Sequence, residues 1–314
     1  MANDALNVNA HPAPHGVNGQ TSSIGITVRG SDWYWAVTAI MTVATFVIAG
    51  LSFTKPRNHR IFHYITAAIT MVAAIAYFTM GADLGQTPIT VEFKRSNPKV
   101  SGTPDNQDRE IFYVRYIDWT ITTPLLLLDL LLTAGLPWPT ILYTILLDEV
   151  MIITGLVGAL VQSSYKWGYF VFGCAAFLWV AWTVTWTARK HAISLGNDIA
   201  RTYTICGVWT IFLWFLYPIA WGLCEGGNVI SPDSEAVFYG ILDIMAKPVF
   251  GALLLWGHRN IDPSRLGLHI RDEHEDPASG SGAHQAEKGN KDSSDGIANN
   301  GVTPATATPA TNTV

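Results

Sequence analysis

Charged residues are scarce in this chain. Asp, Glu, Lys and Arg together make up 14% of its 314 residues, whereas ordinary soluble domains carry about 25%. Aromatic residues are not scarce, since tryptophan alone occurs 12 times. The shortage of charge argues against an ordinary soluble domain as the description of most of the chain.

Cysteine is also rare, with 3 in the whole sequence, Cys174, Cys206 and Cys224. All three fall inside apolar stretches, and their spacing matches neither a metal-binding motif nor a redox motif. The sequence therefore offers no disulfide framework, and we expect no metal site.

The apolar residues are concentrated in seven blocks of roughly twenty residues, the length that crosses a hydrocarbon layer of about 30 Å as a helix. Strands of a membrane β-barrel would be shorter and would alternate apolar with polar residues, which these blocks do not. The sequence thus predicts an all-α membrane protein, a seven-transmembrane-helix bundle. The predicted spans run over residues 33–53, 61–80, 111–133, 140–161, 167–187, 203–224 and 236–257.

Basic residues in the short connections predict the orientation of the bundle, because cytoplasmic loops are enriched in Lys and Arg. The connection between the last two spans has Glu225, Asp233 and Glu235 but no Lys or Arg. We therefore expect the N-terminus outside and the C-terminus in the cytoplasm. The basic residues of the expected cytoplasmic side are Lys55, Arg57, Arg60, Arg189, Lys190, Arg201, Arg259, Arg265 and Arg271.

Three regions follow from this pattern. Residues 1–30 are expected to be a disordered extracellular N-terminus, and residues 31–260 a seven-helix domain. Residues 261–314 are expected to be a cytoplasmic, mostly disordered tail, because from about residue 272 they lack the large apolar side chains that offset the entropy of ordering.

A lysine near the middle of the last span is the first candidate for chemistry. Lys247 is too central to reach either membrane surface, and a desolvated amine of this kind can condense with a carbonyl to form a Schiff base. Asp243 lies four residues earlier, on the same helical face. A structural Lys–Asp ion pair explains these two residues alone equally well.

The third span adds acids at informative spacing. Arg115 and Asp118 are three residues apart and share a face. Asp129 follows Asp118 by eleven residues, about three turns or about 16 Å, on nearly the same face. The arginine favours a charged Asp118, and the surrounding leucines favour a protonated Asp129. Directional proton transfer needs a deprotonated acceptor and a protonated donor, and this helix would supply both.

These residues resemble the microbial (type I) rhodopsins, specifically their fungal branch, and they resemble bacteriorhodopsin-like proton pumps. The similarity covers roughly residues 33–260. The matching positions are Arg115, Tyr116, Asp118, Trp119, Thr122, Thr123, Pro124 and Asp129 in the third span, Trp214, Tyr217, Pro218 and Trp221 in WFLYPIAW, and Asp243 and Lys247 in the seventh span.

The resemblance implies a role for each ionisable residue. Lys247 would carry all-trans retinal as a protonated Schiff base, with Asp118 as counterion and proton acceptor and Asp243 as second counterion. Arg115 would be the gate toward the exit, and Asp129, with Thr66 as its hydroxyl partner, the proton donor. Glu235 and Glu225 would form the proton-release group.

The resemblance also implies a retinal pocket. Its expected members are Tyr77, Tyr116, Trp119, Thr122, Thr123, Leu126, Met151, Gly155, Trp214, Tyr217, Trp221 and Ala246, with Asp148 bordering the ring.

Several positions depart from the family pattern. Between Trp221 and Glu225 there is one residue fewer than in bacteriorhodopsin, which predicts a displaced Glu225. Tyr169 and Phe170 replace two tryptophans, so the pocket stays aromatic but changes shape. Pro248 cannot donate to the carbonyl of Ile244, so a kink is expected beside Lys247.

The resemblance implies a light-driven transporter or photoreceptor rather than an enzyme, and we expect an outward proton pump in the plasma membrane. The expected partners are the lipid bilayer and protons, with a homo-oligomer possible because similar proteins form trimers, and no nucleic acid. The alternative is a slow-cycling photosensory rhodopsin without significant transport. A light-gated channel and a retinal-free seven-helix receptor are further alternatives.

Overall fold

The structure, a computed structural model, describes residues 22–268, and within them seven apolar helices are long enough to cross a membrane. The predicted seven-helix bundle is confirmed. The transmembrane helices are α1 (Val28–Ser52), α2 (Ile61–Gly81), α3 (Tyr113–Thr133), α4 (Trp138–Leu160), α5 (Lys166–Leu195), α6 (Asn197–Gly226) and α7 (Pro232–Asn260).

Most helix ends lie within a few residues of the predicted spans, but α5 and α6 differ. The sequence predicted a connection between residues 187 and 203 carrying Arg189, Lys190 and Arg201. Instead α5 continues to Leu195 and α6 begins at Asn197, so that Gly196 alone separates them, at φ 128°. The predicted ends were placed where the apolar run stops and charged residues begin. A helix can continue beyond the hydrocarbon layer with charged residues in its outer turns, so the observed helices are longer.

The expected disorder of residues 1–30 is wrong for residues 22–30. Ile24 pairs with the strand that contains Arg109, through a bond from the Ile24 amide to the Asp108 carbonyl of 3.0 Å. Ile26 is fully buried, and Thr27 caps α1. This order depends on a strand over eighty residues away, which local composition cannot reveal. The rest of that segment lies outside the described residues.

The start of the C-terminal tail is also ordered. Ile261 and Leu266 are buried against the core, and a short 3-10 helix covers Pro263–Leu266. The remainder of the predicted tail lies outside the described residues.

The connection between α2 and α3 contains a β-hairpin, with β1 (Thr87–Thr90) antiparallel to β2 (Asp108–Ile111). Its register pairs Thr87 with Ile111 and Ile89 with Arg109. Arg109 and its neighbour Glu110 are both 1% exposed. The hairpin therefore carries two charged side chains into the protein at one end of the bundle.

Three helices contain a π-helical turn, the wider winding that is frequent at functional sites. These turns cover Thr183–Ala188 in α5, Gly222–Gly226 in α6 and Met245–Val249 in α7. The turn in α7 surrounds Pro248, which has no N–H to donate. The Met245 carbonyl accepts the backbone N–H of Phe250 and also the indole N–H of Trp209, the latter at 2.9 Å. The winding of α7 thus changes beside Lys247, where a kink was expected.

The outer face of the bundle is apolar. Phe46, Phe172 and Val208 are each more than 60% exposed, as expected of side chains that face lipid. Ionisable residues near the middle of α3 and α7 lie inside, since Arg115, Asp118, Asp129, Asp243 and Lys247 are at most 2% exposed. This distribution identifies an integral membrane protein.

Candidate functional site: a buried amine among acids

The amine of Lys247 lies between two carboxylates in the centre of the bundle. Its Nζ is 2.6 Å from Asp118 Oδ2 on α3 and 3.1 Å from Asp243 Oδ2 on α7. All three side chains are at most 1% exposed. The Asp243 contact follows from four-residue spacing on one helix, whereas Asp118 comes from a different helix 129 residues away.

The two carboxylates differ in the donors around them. Asp243 accepts the hydroxyl of Tyr217 at 2.6 Å on Oδ1 and that of Tyr77 at 2.8 Å on Oδ2. Asp118 accepts only from Lys247, and its Oδ1 has no partner among the described residues. The hydroxyl of Thr122 donates to the Asp118 main-chain carbonyl, not to the carboxylate. Both oxygens of Asp243 therefore have hydrogen-bond donors, while Asp118 has a free oxygen that can take a proton.

A cavity adjoins the amine. Its walls are almost entirely apolar or aromatic, and Lys247 is the one amine among them. A long apolar molecule ending in a carbonyl matches this lining, so the residues present fit retinal. The lining residues named in advance from the sequence are Tyr116, Trp119, Thr123, Leu126, Met151, Gly155, Trp214, Tyr217, Trp221, Ala246 and Lys247.

Two expected pocket members, Tyr77 and Thr122, are not among the lining residues. They instead donate to Asp243 and to the backbone of Asp118.

Part of the cavity lining was not expected from the sequence. Phe170, which also lines the cavity, had been noted as a replacement for a tryptophan of the family. Tyr239 lies four residues before Asp243 and so shares its helical face, a signal that could have been used. The unanticipated lining residues are Ile152, Gly173, Cys174, Phe177 and Tyr239, whereas Pro218 belongs to the expected WFLYPIAW part of the pocket.

Asp129 is fully buried on α3, away from other charges. Its Oδ2 accepts the hydroxyl of Thr66 at 3.1 Å, and its Oδ1 has no donor among residues 22–268. The neighbouring core contains Leu126 and Leu130. Asp148 on α4 is similarly buried and accepts the hydroxyl of Thr123 at 2.7 Å. A carboxyl group with one hydroxyl partner and no cation can hold a proton in the resting protein.

At the other end, Arg115 joins the two glutamates named in advance. Its Nη1 is 2.7 Å from Glu235 Oε1 and 3.5 Å from Glu225 Oε1, while its Nη2 donates to the hydroxyl of Tyr34 at 2.9 Å. Glu225 was expected to be displaced by its shorter spacing from Trp221. It is buried and faces the cluster, and it lies within the π-helical turn Gly222–Gly226.

Sequence reasoning missed Arg109 in this cluster. Its Nη2 is 2.7 Å from Glu235 Oε2, and its Nη1 donates to Asn228 Oδ1 and to the Ile230 carbonyl, each at 2.8 Å. In the sequence Arg109 was one of several basic residues in a mixed-charge connection. Nothing local distinguishes it, because its partners are 119 to 126 residues away.

A second buried acidic pair, Asp83 and Glu110, lies just outside the spans. Both residues are 1% exposed. Glu110 Oε2 accepts the Ile26 amide at 2.8 Å, whereas both oxygens of Asp83 lack a donor from the described part of the chain. Burial raises the pKa of Asp83, and burial together with the neighbouring acid Asp83 raises the pKa of Glu110 well above its usual range.

Comparison with known proteins places this geometry in a family. A model described as "Bacteriorhodopsin-like protein" matches residues 30–261. The "Opsin-like protein carO" of Fusarium fujikuroi is 69% identical over 270 residues, covering 86% of this chain and 85% of that protein.

Two solved structures give the fold. The light-driven proton pump LR (Mac) from Leptosphaeria maculans has a TM-score of 0.71 and 36% identity, covering 77% of this chain and 99% of its own. Halorhodopsin, a light-driven chloride pump, has a TM-score of 0.68 and 26% identity, covering 76% of this chain and 98% of its own. The common fold therefore does not by itself decide which ion moves.

Proposed function

The chain belongs to the bacteriorhodopsin-like protein family, within its fungal branch, and from this premise we propose that it is a light-driven outward proton pump. Members of the family are light-driven transporters or sensors with a retinal chromophore. The observation that carries the proposal is that three buried acids differ in their hydrogen-bond partners and surroundings. Asp118 has a free oxygen beside Lys247, Asp243 is held by two tyrosines, and Asp129 lies apart among leucines.

Lys247 would hold all-trans retinal through Nζ, and the walls of the cavity would surround its chain. When bound, retinal supplies light absorption and an isomerisation that moves the nitrogen and alters its affinity for a proton. The cavity residues orient the chain and exclude water. Trp119 and Tyr217, whose ring centroids are 5.3 Å apart, form part of that wall.

The residues then define a direction for the proton. Nζ of Lys247 gives its proton to Asp118 Oδ2 across 2.6 Å, because Asp243 already has two hydroxyl donors. Asp129 returns a proton to Nζ from the other side. The span between these acids is about 16 Å along α3, so we infer that water carries the last part of the transfer. Glu225 and Glu235 pass a proton to the outside.

Orientation and location belong to the same proposal. Basic residues at the α1–α2 connection and after α7 support a cytoplasmic C-terminus and an external N-terminus. We infer a plasma-membrane location, with a homo-oligomer as in similar proteins. An anion pump is disfavoured, because the negative carboxylate of Asp118 occupies the position next to the amine where an anion would have to bind.

Expression of the full chain with retinal in cells tests the proposal. The expected result is a coloured protein that acidifies the medium on illumination, with the pH change abolished by a protonophore. Lys247→Ala should give no covalent pigment. Colour without acidification and with a photocycle of seconds would instead support the photosensory alternative. Current that reverses sign with the proton gradient would support a channel.

Asp129→Asn tests the donor. We expect an unchanged pigment whose nitrogen recovers its proton roughly a hundredfold more slowly, the lower end of what a positioned general acid contributes. The recovery should also slow as pH rises, since the proton then comes from solution. Glu149→Gln is a matched control in α4, where the side chain is only partly buried. An unchanged recovery in Asp129→Asn would remove this residue from the donor role.

A further inference from the structure

Glu235 is bound by two arginines at once. Its Oε2 is 2.7 Å from Arg109 and its Oε1 is 2.7 Å from Arg115. Each carboxylate oxygen therefore has its own charged donor, and all three side chains are at most 2% exposed. A proton on Glu235 would have to displace one of these bonds, which would leave a buried guanidinium without its anion.

Arg109 is held in place independently of Glu235. It lies on β2, and its Nη1 donates to the Asn228 side chain and to the Ile230 carbonyl. Asn228 is in turn anchored by its Nδ2, which donates to the Val100 carbonyl at 2.8 Å. These bonds fix the guanidinium toward Glu235, so its charge is a permanent part of this end of the bundle.

Glu225 has a different environment from Glu235. Its oxygens lie 3.1 Å from the Tyr116 hydroxyl and 3.2 Å from the Tyr239 hydroxyl. Arg115 is its nearest cation among the described residues, at 3.5 Å, and Arg115 also bonds Glu235 at the shorter distance of 2.7 Å. Glu225 is thus surrounded mainly by neutral groups that can donate to a carboxylate or accept from a carboxylic acid.

The local charges balance when Glu225 is neutral. Among the buried side chains of residues 22–268, the cations that pair at 3.1 Å or less are Arg109, Arg115 and Lys247, and the carboxylates they contact at those distances are Glu235, Asp118 and Asp243. Glu225 is a fourth acid and would make the buried group net negative if ionised. The other titratable or charged groups that face it are Cys224, Tyr34, Tyr116, Tyr239, Lys166 and, beyond Glu235, Glu110.

We propose that Arg109 is a positioning residue that fixes Glu235 as an anion and so leaves Glu225 as the carboxyl group that holds the proton released to the outside. The inference rests on the proposed function and divides the release pair into two different roles. The O–H bond of Glu225 breaks and water takes the proton.

Infrared difference spectroscopy of the pigment in the dark, between low and high pH, measures the proton without any transport. The carboxylic C=O band lost as pH rises should disappear in Glu225→Gln. It should remain in Glu235→Gln but titrate at lower pH, because a negative charge beside Glu225 is gone. A band lost in Glu235→Gln and kept in Glu225→Gln would overturn the assignment. If the band were lost in both Glu225→Gln and Glu235→Gln, as expected for a proton shared by the two glutamates, the assignment would also be overturned.

Arg109→Gln tests the positioning role. The titration midpoint of the Glu225 band should rise in this variant by about one pH unit or more, because a positive charge that favours ionised carboxylates in the cluster is lost. Arg109→Lys should restore most of the shift because it keeps the charge. Arg95→Gln is the matched control, since Arg95 binds the Gly227 carbonyl of the same turn but no carboxylate. A midpoint unchanged in Arg109→Gln, or shifted equally in the control, would refute the role.

The same samples separate this inference from the proposed pump. Pigment colour and the light-driven loss of the Lys247 proton should persist in every variant, because none of them changes the carboxylates beside Nζ. If wild-type protein moves no proton in light, the pump proposal fails while the dark titration still identifies the proton-bearing glutamate. If the pump works but the band does not follow Glu225, only the present inference fails.

Discussion

Asp118 and Asp243 show that residue type alone does not determine a role at this site. Both are fully buried aspartates within 3.1 Å of the same amine. Two tyrosine hydroxyls satisfy Asp243, whereas one oxygen of Asp118 has no donor in the described structure. Their capacity to accept a proton differs because their hydrogen-bond partners differ.

Asp118→Asn should therefore retain retinal but lose proton transfer. Removing the negative charge beside a positive nitrogen should move the absorption maximum to longer wavelength. The light-induced pH change should fall at least tenfold, because an amide cannot take the proton. Absorption spectroscopy and pH recording in vesicles measure the two effects.

Asp243→Asn is the matched variant. It should lower pigment yield, because Tyr77 and Tyr217 donate to different oxygens of Asp243 and an amide keeps only one acceptor oxygen, yet proton transfer to Asp118 should be detectable. Full proton movement in Asp118→Asn would contradict the acceptor assignment.

At the scale of elements, α2 and α7 approach closely beside the donor acid. A Cβ added at Gly251 would collide with the methyl group of Thr66, and Thr66 is the hydroxyl partner of Asp129. The small residue on α7 thus sets the position of a hydrogen bond that reaches α3.

Gly251→Ala should disturb that bond. The overpacked contact should destabilise the protein by about 1–3 kcal/mol, and displacement of Thr66 should change the rate at which the nitrogen recovers its proton. Thermal denaturation and flash photolysis measure these effects. Gly50→Ala on α1 is the control, because no atom lies within 4 Å of the added Cβ. A destabilised variant with normal recovery would show that Thr66 does not assist Asp129.

The hairpin β1–β2 is a second element that makes contacts important for the site. It pairs with Ile24 on one side and delivers Arg109 to Glu235 on the other. From the local sequence, this connection could be described only as mixed in charge. In the structure it lies at one end of the bundle and supplies one of the two arginines that bind Glu235.

At the scale of the whole molecule, the protein has polar groups inside and apolar groups outside, and buried acids outside the spans affect its stability. Asp83 and Glu110 are enclosed by the N-terminal segment and the hairpin. Their raised pKa values, caused first by burial, mean that the folded protein keeps protons that the unfolded chain loses.

Stability should consequently be greatest below the ordinary carboxyl pKa of about 4. It should fall as pH rises from there toward the raised pKa values of the folded state. The thermal denaturation midpoint between about pH 4 and about pH 8 measures this decline. Glu110→Gln should flatten the dependence, because an amide has no proton to lose. Asp105→Asn, at an exposed site in the same connection, is the control. A dependence equally steep in Glu110→Gln would exclude this pair as its cause.

The sequence by itself determined the seven spans, the central lysine, and the relation of Asp118 to Asp129 and of Asp243 to Lys247. Each of these is a property of one helix, in which length, apolarity and a repeat of 3.6 residues decide what faces what. Helix ends were less accurate, because α5 and α6 continue through charged residues that end an apolar run.

Only the tertiary structure decided which acid beside Lys247 is free, that Glu225 faces the cluster, and that Arg109 binds Glu235. It also decided that residues 22–30 are ordered and that Asp83 meets Glu110. The reason is physical: each outcome depends on groups that different helices or the hairpin bring together, across as many as 166 residues. No local periodicity encodes such a contact, since it exists only after the bundle has packed.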